Sequence, residues 1–105
     1  MTDAEAKTES LLAALWVSNR PLVSERLARL DSAAASANDG TLTDDLRRAA
    51  AEVAHKLAGS LGMYGYDQGT LIARQLEVLL DYPTPDPDRL RALTAELRQS
   101  IFPEA

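Results

Sequence analysis

Apolar residues recur along this chain at helical spacing, and no stretch reads convincingly as a strand. The pattern predicts five helical segments. The first spans about Asp3 to Val17, with Leu11, Leu12, Leu15 and Trp16 on one stripe, and SNRP at Ser18–Pro21 punctuates it. The second spans about Pro21 to Ala37, marked by Leu22, Val23, Leu27, Leu30 and Ala33–Ala35, and Asn38-Asp39-Gly40 ends it. The third starts near Thr41, where Thr41 and Asp44 resemble a capping box, and reaches about Ser60. The fourth spans about Asp67, a candidate N-cap, to Asp81, with Leu71, Ile72, Gln75, Leu76, Leu79 and Leu80 giving its pattern. YPTPDP then breaks the chain, and Asp86-Pro87 opens a fifth helix whose Leu90, Leu93, Leu97 and Ile101 share a face. Short connections between amphipathic helices make antiparallel neighbours. The expected fold is all-α, an up-and-down four-helix bundle with an additional N-terminal helix, forming one domain over residues 1–105.

Composition narrows the chemistry. With 46% hydrophobic but only 5% aromatic residues, the core must be built from Leu, Ala and Val. There is no cysteine and a single histidine, which excludes a disulfide scaffold and leaves no thiolate or poly-histidine metal site. The net charge of −5 argues against a nucleic-acid or anionic-membrane binder. No apolar run approaches the roughly 20 residues of a membrane span, and the polar N-terminus does not resemble a signal peptide. A cytoplasmic, monomeric domain is expected.

The one histidine sits in AHKLAGSLGMYG, Ala54–Gly65. At about 100° per residue, with Leu46 as zero, Leu42, Ala50, Val53, Leu57 and Leu61 fall within roughly 60° of it, and His55 falls at about 180°. His55 is therefore expected to face away from the core. Arg48, Ala51, Glu52, Ala58, Gly59 and Gly62 lie three, four or seven residues from it and share its face. Most are small. A glycine such as Gly59 costs roughly 1 kcal/mol against alanine in a helix interior, so its presence on an outward face implies that close approach matters there. No phosphate-cradling glycine loop, acid pair or Ser/His/Asp set accompanies it, which disfavours autonomous catalysis.

The motif resembles the signature of histidine-containing phosphotransfer (HPt) domains: Ala before a phosphorylatable His, a hydrophobic residue at +2, Gly at +4, Ser or Ala at +5 and Gly at +10. Ala54, Leu57, Gly59, Ser60 and Gly65 occupy those places around His55, and ARQLE at Ala73–Glu77 is similar to the family's following helix. One position departs: the family's usual lysine at +3 is Ala58 here, a variant resembling HPt domains found with multi-domain bacterial response regulators. Arg48 and Lys56 are the cations that stand near enough to replace it.

The resemblance implies a phosphocarrier of a two-component phosphorelay, phosphorylated on His55 at Nε2. It would exchange the phosphoryl group with an aspartate of a response-regulator receiver domain or hybrid histidine kinase. The domain itself would need no cofactor; Mg²⁺ would sit in the receiver. Arg48, Ala51, Glu52, Lys56, Ala58, Gly59 and Gly62 would form the docking surface, while Glu52 and Glu77 read as surface charges rather than bases. The alternative is a helical module that docks a receiver or kinase without carrying phosphate. Trp16, Phe102, Met63, Tyr64 and Tyr66 read as packing residues near the bundle ends, and Ser60 as a helix-end hydroxyl.

Overall fold

The computed structural model describes residues 2–104. Four α-helices account for most of them: α1 Asp3–Asp39, α2 Asp44–Leu61, α3 Asp67–Leu80 and α4 Pro87–Ile101, with a 3₁₀ turn at Gly62–Tyr64 between α2 and α3. Each helix packs on its chain neighbours, and α4 returns to α1, closing a ring around one core. The core is mostly leucine and alanine, as the composition required: Leu27, Leu30, Leu57, Leu61, Leu76, Leu80, Leu90, Leu93 and Leu97 are its large buried members.

The main departure from the sequence reading is at Pro21. Asp3–Val17 and Pro21–Ala37 are not two helices but one, running through Pro21 without a break. An interior proline removes a backbone hydrogen bond and costs roughly 3 kcal/mol in an isolated helix. Tertiary contacts on both sides of it hold this helix together. Trp16 lies among Tyr64, Tyr66 and Phe102, with ring centroids 5.2, 4.9 and 6.0 Å away. The Asn19 side-chain amide donates to the Tyr64 hydroxyl at 2.6 Å. Val23 and Leu27 then continue the same inward face. Pro21 and Val17, whose carbonyl loses its partner, are both exposed, so water can reach the orphaned group.

Helix ends follow local chemistry, with two shifts of register. Gly40 ends α1 in the left-handed region at φ 72°, its N–H bonded to Ala37 and that of Thr41 to Ser36. Thr41 thus serves the end of α1, and the cap of α2 is Thr43, which accepts from the Leu46 N–H at 3.2 Å. Asp67 is the first residue of α3 rather than its cap; Tyr66 holds that place with no side-chain bond. Asp86 does cap α4, accepting from the Asp88 N–H at 3.1 Å, with Pro87 at the first helical position. Asp86→Ala should cost about 1 kcal/mol, read as a lower denaturation midpoint with an unchanged slope.

Two polar links fix how the helices lie. Arg98 of α4 grips Asp31 of α1 through both guanidinium nitrogens, at 3.1 and 2.6 Å. The hydrogen bond to Asp31 holds the Arg98 pKa above its ordinary value. Arg47 of α2 is buried and donates to the Leu80 carbonyl at the end of α3 at 2.8 Å, supplying a partner that the last turn of α3 lacks. That bond pins α2 against α3, the pair that carries the site.

Candidate phosphoryl-acceptor site

On α2 the buried residues are Arg47, Ala50, Val53, Ala54, Leu57, Ala58 and Leu61. Counting from Leu46, they span an arc from about −20° at Val53 to about 120° at Ala58. Leu46 is therefore at the edge of the core rather than its centre, and it is 53% exposed beside the α1–α2 groove. His55 lies about 60° beyond Ala58, on the flank that α2 shares with α3. It is not opposite the core, yet its side chain is 66% exposed.

That flank gives His55 a partner. Its Nδ1 lies 2.6 Å from Oε2 of Glu77 on α3. An ionised carboxylate only accepts, so the proton of the neutral ring belongs on Nδ1. Nε2, on the far side of the imidazole, then carries the free lone pair. The Glu77 side chain is 37% exposed, less than the ring it faces. Glu77, which reads from the sequence as a surface charge, is in the structure the partner of the histidine ring.

The remaining candidates separate into three kinds. Ala51, Glu52 and Arg48 border a shallow groove between α2 and α3, together with Glu77 and Asp81, and Arg48 is exposed within reach of that groove. Lys56 is exposed about 100° round α2 from His55. Among the described residues, neither Arg48 nor Lys56 is engaged in a salt bridge. Ala58 is different: it is buried in the core cluster and leaves little surface for a partner. A lysine there would have to emerge from between α2 and α3.

The glycines also divide. Gly59 is exposed within α2, and a Cβ built on it meets no atom within 4 Å. Nothing in this chain's own packing requires the missing side chain. Gly62 opens the 3₁₀ turn, and a Cβ there would touch the Thr70 hydroxyl at 3.4 Å. It belongs to the α2–α3 corner as much as to the face of His55. Gly65 adopts φ 85°, a left-handed turn position that a side chain would strain. Ser60 donates to the Leu57 carbonyl at 3.4 Å within its own helix.

The structure is thus an antiparallel helical ring that displays one imidazole on its second helix, with a carboxylate of the third at its Nδ1. The family model of the Hpt domain matches residues 20–101. The chain belongs to the Hpt domain family, whose members carry phosphoryl groups on a histidine in phosphorelays and meet receiver domains and kinases; they are carrier modules rather than enzymes. Searches of curated proteins and of solved structures found no match. No helix among the described residues is long and apolar enough to cross a membrane.

Proposed function

We propose that this chain accepts a phosphoryl group on Nε2 of His55 from the aspartyl phosphate of a response-regulator receiver domain, and can return it. The observation that carries this reading is the Nδ1–Glu77 contact, which leaves Nε2 as the open nucleophile. In the forward step the Nε2 lone pair forms the N–P bond while the bond from phosphorus to the aspartyl oxygen breaks. The aspartate carboxylate of the receiver leaves with that electron pair. Positive charge grows on the ring as the bond forms, and the Glu77 carboxylate stands against Nδ1–H to stabilise it. Such transfer depends on in-line placement and charge balance more than on covalent machinery. The receiver supplies its aspartate and Mg²⁺; Arg48 and Lys56 are the exposed cations of α2, on the helix that carries His55.

Glu77 gives this reading its own test. Glu77→Ala removes the orienting group while leaving His55 in place, and transfer from a phosphorylated cognate receiver should slow by about tenfold or more, the usual cost of losing a histidine's orienting carboxylate. Glu77→Gln, which can still accept from Nδ1–H, should fall between wild type and Glu77→Ala. Equal transfer rates in all three proteins would remove Glu77 from the mechanism.

A further inference from the structure

α1 is far longer than its neighbours. At 37 residues it spans about 55 Å, against about 27 Å for the 18 residues of α2, so its first turns, ahead of Trp16, extend past the bundle. The match to the Hpt family begins only at residue 20. The extension is thus additional to the family's shared part, and it is not polar throughout. Leu11, Leu15 and Leu22 are 62%, 41% and 42% exposed. With Leu11 at zero, Leu15, Ser18 and Leu22 all lie within about 40°, and Ala4 and Arg29 fall on the same line. The inward residues Trp16, Val23, Leu27 and Leu30 lie roughly 90° or more away. A second, exposed stripe therefore runs along α1, with its leucines between Leu11 and Leu22.

The charges beside that stripe are arranged for a second copy of this chain. Lys7 and Glu25 both lie about 40° to one side of Leu11. When two α1 helices are laid antiparallel with Leu11 opposite Leu22, Leu15 falls opposite Ser18. In the same alignment Glu25 and Arg29 stand one residue, about 1.5 Å, off the levels of Lys7 and Asp3, within reach of these side chains, and the twofold axis repeats each pair. A parallel arrangement in register would instead set Lys7 against Lys7 and Asp3 against Asp3. Both Glu25 and Arg29 are well exposed and, among the described residues, paired with each other along the helix, so a partner can reach them. The place of the stripe relative to His55 is also permissive. Arg29 lines the α1–α2 groove together with Leu46 and Val53, on the side of α2 remote from His55.

We propose that the chain forms an antiparallel homodimer through the α1 stripe from Ala4 to Arg29, with both histidine faces left open. The sequence alone leads to the expectation of a monomer, and the oligomeric state decides between the two. Sedimentation equilibrium across micromolar concentrations should give a reversible dimer for the wild type. Leu15→Asp, at an exposed position, should give a monomer with unchanged helical circular dichroism. Lys7→Glu should weaken the dimer severalfold, and adding Glu25→Lys should restore it. Because the chain has no cysteine, Lys7→Cys with Glu25→Cys reports orientation: the double variant should oxidise to a covalent dimer and Lys7→Cys alone should not. The two positions on one helix are about 27 Å apart and cannot bridge within a chain. A wild type that sediments as a monomer throughout overturns the proposal. So does cross-linking of Lys7→Cys alone as readily as the double variant, or a charge-reversed pair that fails to recover association.

Discussion

His55→Gln protein should fold as the wild type does and gain no phosphate from a phosphorylated cognate receiver. Glutamine fits at an exposed helical position and its amide can still donate to Glu77, so the surroundings of the site survive. What it lacks is a nucleophilic ring nitrogen. No second histidine or cysteine is present to substitute, so the loss should be complete rather than partial. The readout is acid-labile, alkali-stable label on the domain, with circular dichroism confirming the fold. Label on the variant at the wild-type level would place the acceptor elsewhere. Full signalling output from His55→Ala, with receiver binding intact, would favour docking without phosphate.

Gly59→Arg should separate stability from transfer. In the free chain the site around Gly59 is empty, so a helix-forming residue should gain back the backbone penalty of glycine. Gly59→Ala is expected to be more stable by about 0.5–1 kcal/mol. Gly59→Arg should fold equally well, yet place a long side chain one turn from His55, where the receiver must approach. Transfer should drop more than about tenfold, the equivalent of losing about 1.4 kcal/mol of docking free energy. Unfolding curves and transfer rates on the same preparations decide it. Unchanged transfer in Gly59→Arg would mean that the partner does not approach over this residue. Lower stability in Gly59→Ala would mean that the glycine serves the chain's own fold.

The sequence disclosed what depends on local periodicity. Leu90, Leu93, Leu97 and Ile101 are all buried as their spacing required, and Asp86-Pro87 opens α4. The leucine and alanine core, the all-helical class and the exposure of His55 were legible in the same way. What was not legible depended on contacts between distant segments. Pro21 read as a boundary because local rules penalise proline, whereas the anchoring of Trp16 and Asn19 by the Tyr64 corner carries the helix through it. The choice between Thr41 and Thr43 as cap turned on a residue already engaged at the end of α1.

The site shows the same division. Its histidine and small residues could be found from one helix alone. Glu77 could not be chosen from ARQLE, because its meeting with His55 depends on the register of α3 against α2. That register is held in part by Arg47 and the Leu80 carbonyl. Taking Leu46 as the centre of the core rotated the expected face by about 50°, which is why Ala58 read as surface and proved buried. Leu46 is apolar but sits at the edge of a groove lined by Ser32, Ala33 and Ser36, whose small side chains do not cover it. Hydrophobicity alone did not reveal that.

The most direct test of the central claim is the identity of the phosphorylated nitrogen. The chain labelled with ¹⁵N in its imidazole, incubated with a phosphorylated cognate receiver, should show phosphorus coupling at Nε2 of His55, with Nδ1 still bearing its proton against Glu77. Phosphorylation at Nδ1, or an imidazole that stays unmodified while the receiver loses its phosphate to water alone, would contradict it.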